Sequence, residues 1–215
     1  MSKIEFNKEG EVKQKSFIRE VFDWVFCIIA AFTLAVLIKY FIFTPTLVKQ
    51  SSMTPTILDG ERVIINRIVR TFHLPIYRGD IVTFEKPADT KDGVGVYEEA
   101  KSKGEFLVHN VLEITKISYI KRVIGVAGDH VVIKNGNVYV NDVLQDEVYL
   151  HGIKTPQRGQ FDDIVVPEGY IFVMGDNRSG SSDSREFGCI PVSKVEGRVS
   201  FRIWPLTNLG KIDNY

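Results

Sequence analysis

Residues 24–43 read WVFCIIAAFTLAVLIKYFIF, and this stretch decides the architecture. Only Thr33 and Lys39 fall outside the hydrophobic set. As a helix rising roughly 1.5 Å per residue, the segment spans about 30 Å, the thickness of a bilayer's hydrocarbon core. Trp24 and Tyr40 stand near its ends, where aromatic rings favour the membrane–water interface, and Lys39 lies about one turn from the end, close enough to snorkel. A buried soluble helix is the competing reading; it is disfavoured because one threonine is the sole polar residue across 24–38. The run is too long for the apolar part of a cleaved signal peptide, and Phe43-Thr44-Pro45 follows it instead of a small-x-small cleavage site. A signal anchor fits better. Lys3, Lys8, Lys13, Lys15 and Arg19 precede the run, while Lys49 and Arg62 are the nearest basic residues after it. Lysine and arginine bias sets orientation. The expectation is a cytoplasmic tail over 1–23, a single-pass anchor in the cell membrane over 24–43, and an extracytoplasmic domain over 44–215.

That domain reads as mainly β. Short runs rich in Val, Ile, Phe and Tyr occur at Arg62–Ile65, Asp80–Phe84, Tyr119–Ile124, His130–Ile133, Asn137–Val140, Gly169–Met174 and Gly197–Ile203. Between two of them, Lys134-Asn135-Gly136-Asn137 predicts a tight hairpin, because Asn-Gly tolerates the positive φ of a type I′ turn. Gly60, Gly79, Gly128 and Gly175 punctuate further turns. Tyr97–Leu112 carries a weak helical pattern. Pro45 prevents the helix from continuing into the domain.

Composition excludes several function classes. The 215 residues carry 27 Lys+Arg and 27 Asp+Glu, a net charge of zero, which argues against a nucleic-acid partner. Two cysteines, Cys27 and Cys189, without a CxxC, exclude a disulfide scaffold and a cysteine zinc site. His73, His109, His130 and His151 are scattered and no HExxH occurs, so neither a metal nor another cofactor is expected.

Three places carry chemistry-bearing residues. Ser51-Ser52 lies shortly after the apolar run and is followed by Met53-Thr54-Pro55-Thr56. Lys121 sits inside an otherwise apolar strand, and residues 175–185 are dense in hydroxyls, Asp and Arg with no helical or strand period, which predicts a structured loop. A serine hydroxyl needs a base to become a nucleophile. No GxSxG elbow or recognisable histidine triad is present. A lysine can serve if burial lowers its pKa. Taken alone, the pattern favours a solvent-facing lysine on a strand and a plain turn at Ser51-Ser52, so residue pattern by itself does not identify the site.

The ordered blocks do more. Ser52-Met53-Thr54-Pro55-Thr56, Tyr77-Arg78-Gly79-Asp80-Ile81-Val82, Tyr119-Ile120-Lys121-Arg122-Val123-Ile124-Gly125, and Gly175-Asp176-Asn177-Arg178 with Ser181 and Asp183-Ser184-Arg185 follow one membrane span. In this order they resemble bacterial type I signal peptidase, the membrane-anchored Ser–Lys protease that removes signal peptides, in its single-span Gram-positive-like form. The resemblance implies a signal-peptidase-like β domain in which Ser52 is the nucleophile and Lys121 the general base. It implies that Ser181 hydrogen-bonds the lysine amine, that Asp183 and Arg185 form an ion pair holding the last loop, and that the Ser52 N–H faces the oxyanion. It further implies exported preproteins as substrates, small residues at positions −1 and −3 from the cut, the lipid bilayer as a partner and proximity to the export translocon. By offset from the blocks, Val48, Met53, Ile57, Tyr119 and Ile120 are candidate substrate-pocket residues.

Departures from the family pattern are local. Gln50 stands where many relatives carry a small hydroxyl residue or glycine; its amide donates to the oxyanion if it points into the site, and otherwise a backbone N–H must. The lysine block ends Gly125-Val126-Ala127-Gly128-Asp129, without the usual proline. Residues 85–118 are longer than in minimal relatives, an insertion of unknown role. Self-cleaving Ser–Lys repressors need a DNA-binding motif and lack a span, a non-enzymatic scaffold would not need Ser52 and Lys121, and the eukaryotic type carries histidine in place of the lysine; each is disfavoured.

Overall fold

A computed structural model describes residues 17–91, 93–97 and 118–212. The first part of the expected tail, the greater part of the expected 85–118 insertion and the weak helical pattern at Tyr97–Leu112 lie outside the described residues, save for the flanks of each. The chain divides into two compact units, 1–38 and 39–215.

Helix α1 (Phe17–Phe41) has no buried residue and is long and apolar enough to cross a membrane. It ends two residues before the expected boundary at Phe43, and the hydrogen bonds of its last turn give the reason. Terminal helix carbonyls need outside partners. Thr44 Oγ1 donates to the Lys39 carbonyl, an Arg70 Nη to Tyr40, Thr71 Oγ1 to Phe41 and the Arg67 N–H to Ile42. Those partners meet the carbonyls as the helix stops, and the chain turns at once into strand β1 (Phe43–Leu47), which holds Pro45.

The rest is mainly β, as expected. The succeeding elements are β2 (Arg62–Asn66), a single-turn helix α2 (Ile68–Thr71), β3 (Ile81–Glu85), a small hairpin of β4 (Asp89–Lys91) and β5 (Val94–Val96), then β6 (Ser118–Val126), β7 (His130–Lys134), β8 (Asn137–Val140) and β9 (Val143–Leu144). They continue with β10 (Asp163–Val165), β11 (Tyr170–Met174), a one-turn helix α3 (Ser184–Phe187), β12 (Ile190–Pro191), β13 (Val195–Trp204) and β14 (Gly210–Lys211). The main sheet runs β1-β2-β13-β3-β6-β11-β12, with β14 beside β13, and a second sheet runs β10-β7-β8-β9. Strand β1 is therefore an edge and β6 an interior strand. The Asn-Gly hairpin forms between β7 and β8, with φ of +53° at Asn135 and +77° at Gly136. Residues 184–187 of the expected loop instead form α3, because the Asp183 carboxylate accepts the Arg185 N–H and caps a first turn that the sequence period is too short to announce.

Among the described residues, three apolar clusters hold the sheets. The one beneath the serine segment joins Val48, Met53 and Ile57 to Val63, Ile65 and Ile81. The sheet can curve around it because β13 slips register three times along its partners. At Gly197 this curvature brings β13 against β2: an added Cβ would stand 2.5 Å from the Asn66 carbonyl oxygen. Gly197→Ala is therefore expected to lower stability by about 1–3 kcal/mol through overpacking, read as a lower urea midpoint; an unchanged midpoint would contradict this packing.

Candidate active site

After β1 the chain is pinned at Val48, whose N–H donates to Glu61 and whose carbonyl accepts from Gly60. It then turns through 51–57, with Thr54 N–H to the Ser51 carbonyl and Ile57 N–H to that of Met53. Met53 and Ile57 are fully buried and anchor this turn, which leaves Ser52, 8% exposed, at the wall of the domain. The Ser52 carbonyl accepts from the Asn177 N–H at 3.0 Å. Its own N–H makes no hydrogen bond among the described residues.

Lys121 lies in β6 between β3 and β11, opposite Val82. It is 1% exposed, so the solvent-facing reading of this lysine is not what the fold adopts. Its Nζ stands 2.8 Å from Ser52 Oγ, 3.1 Å from the Ile120 carbonyl oxygen and 4.8 Å from the centre of the Tyr119 ring. Burial lowers the amine from its ordinary value to about 8, against the pull of the Asp183 and Asp176 carboxylates, which favour the charged form. Near neutral pH a usable fraction of Lys121 is thus an uncharged amine in contact with a serine hydroxyl, the arrangement that base-activated nucleophiles require.

The segment after β11 packs on this pair. Gly175 is needed there for close approach, not for positive φ: a Cβ would collide with Ser181 Oγ and the Ser52 carbonyl oxygen. Asp176 pairs with Arg122, both fully buried, and accepts from Thr56 Oγ1. Asp183 and Arg185 form the expected ion pair at 2.8 Å, and Asp183 also accepts the Gly175 N–H. Arg185 reaches the Arg178 carbonyl, while Arg178 binds the Glu147 carboxylate and Thr155 Oγ1. Ser181 departs from expectation. Its Oγ is buried beside Gly175 and makes no hydrogen bond among the described residues, while the lysine amine contacts Ser52 and the Ile120 carbonyl.

Two cavities meet at Ser52. The larger, about 630 Å³, is lined by Val48, Gln50, Met53 and Ile120 near the serine. The smaller, about 470 Å³, includes Lys121, Tyr119, Gln50, Asp59 and Ser182. Four of the five candidate pocket residues, and Gln50 with them, therefore border the site. Ile57 does not: the turn directs it into the core with Met53, and it lines neither cavity. Sequence reasoning missed Arg122, Thr56, Glu147 and Thr155. Arg122 had a signal, since a second cation next to Lys121 in an apolar strand must find its own partner on the opposite face. Glu147 and Thr155 had none. Among the described residues, no three His, Cys, Asp or Glu side chains converge on one point.

A family model described as signal peptidase, peptidase S26, matches residues 21–204. Signal peptidase IB of Staphylococcus aureus strain COL is 35% identical over 204 residues, 88% of this chain and 92% of that protein. Signal peptidase I of Bacillus licheniformis is 35% identical over 211 residues, 94% of this chain and 99% of that protein. A solved signal peptidase I from Enterococcus faecalis V583 aligns with a TM-score of 0.40 at 27% identity, covering 58% of this chain and 96% of that one. With the family model and both relatives spanning most of its length, the chain belongs to the signal peptidase family, peptidase S26.

Proposed function

We propose that this chain is a membrane-anchored endopeptidase that removes signal peptides from exported preproteins through a Ser52–Lys121 dyad. The observation that carries the reading is the 2.8 Å contact between a buried lysine amine and a serine hydroxyl, at the junction of two cavities in a member of a peptidase family.

In the proposed mechanism an extended precursor lies along the edge of β1 as an added strand. Neutral Lys121 takes the Ser52 proton while Oγ attacks the carbonyl carbon of the −1 residue. The resulting oxyanion is met by the Ser52 N–H, with Gln50 at the cavity junction as a second donor. Collapse breaks the C–N bond as the lysine ammonium gives its proton to the leaving amine. Water, deprotonated by Lys121, then hydrolyses the Ser52 ester, and the proton returns to Oγ. Asp183, Arg185 and Ser181 act through the packing of their loop on the dyad. The small residue at −1 meets the apolar lining of the larger cavity formed by Val48, Met53 and Ile120. The lysine and arginine residues before the anchor support a cytoplasmic tail over 1–23, an anchor over 24–43 and an extracytoplasmic catalytic domain over 44–215. In that topology the bilayer and the export translocon are neighbours of the site.

Incubating the purified protein with a preprotein and sequencing the product N-terminus tests the reading. Ser52→Ala and Lys121→Ala should each abolish cleavage, and full activity in either would sink the dyad. Because Lys121 must be neutral to accept a proton, kcat/KM should rise about tenfold per pH unit below about 8 and level off above it; a flat profile from pH 6 to 9 would exclude a titrating lysine base. Gly175→Ala forces the loop away from the Ser52 carbonyl, so kcat should fall on the order of 100-fold, whereas a merely structural glycine would leave kcat near the wild-type value in the folded fraction.

A further inference from the structure

Asn177 grips the chain on both sides of the Ser52 α-carbon. Its backbone N–H donates to the Ser52 carbonyl at 3.0 Å, and its side-chain Nδ2 donates to the Ser51 carbonyl at 3.2 Å. The amide is oriented from its other end, because Oδ1 accepts the Gly180 N–H at 3.2 Å. Gly180 leaves the space for it: an added Cβ there would stand 2.8 Å from Nδ2. The Ser51 carbonyl also accepts the Thr54 N–H, so both of its lone pairs are engaged.

The Ser51 carbonyl and the Ser52 N–H belong to one peptide unit. That unit is trans, and a planar trans peptide directs its N–H opposite to its carbonyl. Two donors on the carbonyl therefore set the direction of the N–H, and they polarise the peptide so that the N–H donates more strongly. This N–H makes no hydrogen bond among the described residues, and Ser52 lines both cavities. A donor held in place beforehand needs no reorganisation when a substrate carbonyl oxygen gains charge. The contact of Lys121 Nζ with Ser52 Oγ involves no side-chain atom of Asn177.

Resting on the peptidase reading above, we propose that Asn177 is a positioning residue for the reaction: its side-chain amide, acting through the Ser51 carbonyl, aims and strengthens the Ser52 N–H that receives the oxyanion. The test compares full-length wild type, Asn177→Ala and Gly180→Ala in detergent micelles, with a signal-peptide-like peptide as substrate and the matching peptide aldehyde as probe. Ser52 Oγ adds to the aldehyde carbon, the carbonyl π pair moves to oxygen and Lys121 takes the hydroxyl proton, so the adduct carries an oxyanion but has no leaving group. At about pH 9, above the lysine titration, kcat of Asn177→Ala should fall about tenfold or more with KM within about twofold of wild type, and aldehyde affinity should fall by the same factor as kcat/KM. The midpoint of the pH profile should stay near 8, since Lys121 keeps its surroundings. Gly180→Ala displaces the amide without removing it; it should give a smaller loss of the same kind, and adding it to Asn177→Ala should cost nothing further. Where Asn177→Ala fails to fold, Gly180→Ala decides. Unchanged kcat, unchanged aldehyde affinity, or a loss of kcat recovered by raising the pH overturns the role of Asn177 while cleavage by wild type keeps the peptidase reading. Failure of wild type to cleave overturns both.

Discussion

The structure depends on keeping one buried cation without a carboxylate of its own. Arg122, Arg178 and Arg185 are buried around the site, and each has a dedicated acid: Asp176, Glu147 and Asp183 respectively. Lys121 makes no ion pair among the described residues and instead contacts a serine hydroxyl and a backbone carbonyl. Desolvation outweighs the pull of the Asp183 and Asp176 carboxylates, which makes a neutral amine accessible near pH 8. Had Asp183 or Asp176 lacked an arginine partner, its negative charge would have held the lysine protonated more strongly.

These ion pairs position more than they stabilise. A buried pair gains little net free energy over well-packed apolar residues, but removing one partner strands a charge. Here the cost of stranding is linked to geometry. Asp183 ties Gly175 to Arg185, Arg185 reaches the Arg178 carbonyl, and Asp176 ties Arg122 to Thr56, four residues beyond Ser52. The segment after β11, strand β6 and the Ser52 turn are thereby held in one arrangement. The hydrogen bond from Asn177 to the Ser52 carbonyl and the absence of a side chain at Gly175 bring them into contact.

The pleat of β6 divides the work of the site. Because successive side chains point to opposite faces, one strand supplies Lys121 and Tyr119 to one cavity and Ile120 and Ser118 to the other. Lys121 and Ile120 are adjacent in sequence yet separated in space, with Ser52 at the boundary. A one-residue slip of β6 would exchange the two sets.

Much of this was legible beforehand, for local reasons. The apolar run at 24–43, the strand segments, the Asn135-Gly136 turn and the ordered blocks around Ser52 and Lys121 are properties of short stretches, readable from periodicity, turn chemistry and resemblance. The helix end at Phe41 was less so, because its carbonyl partners, Arg67, Arg70 and Thr71, come from α2 and the residue before it. The burial of Lys121, the Ser181 hydroxyl unpartnered among the described residues, the withdrawal of Ile57 into the core and the support from Glu147 and Thr155 were not legible at all. Each depends on which strand lies beside which, over separations of tens of residues. Sequence alone determined an apolar run long enough to span a bilayer, a mainly β domain and the residues of a serine–lysine pair. Only tertiary packing decided that the lysine is dry, that its neighbouring charges are paired with one another, and that the two side chains meet, because desolvation and contact are properties of the folded surroundings and not of the residues themselves.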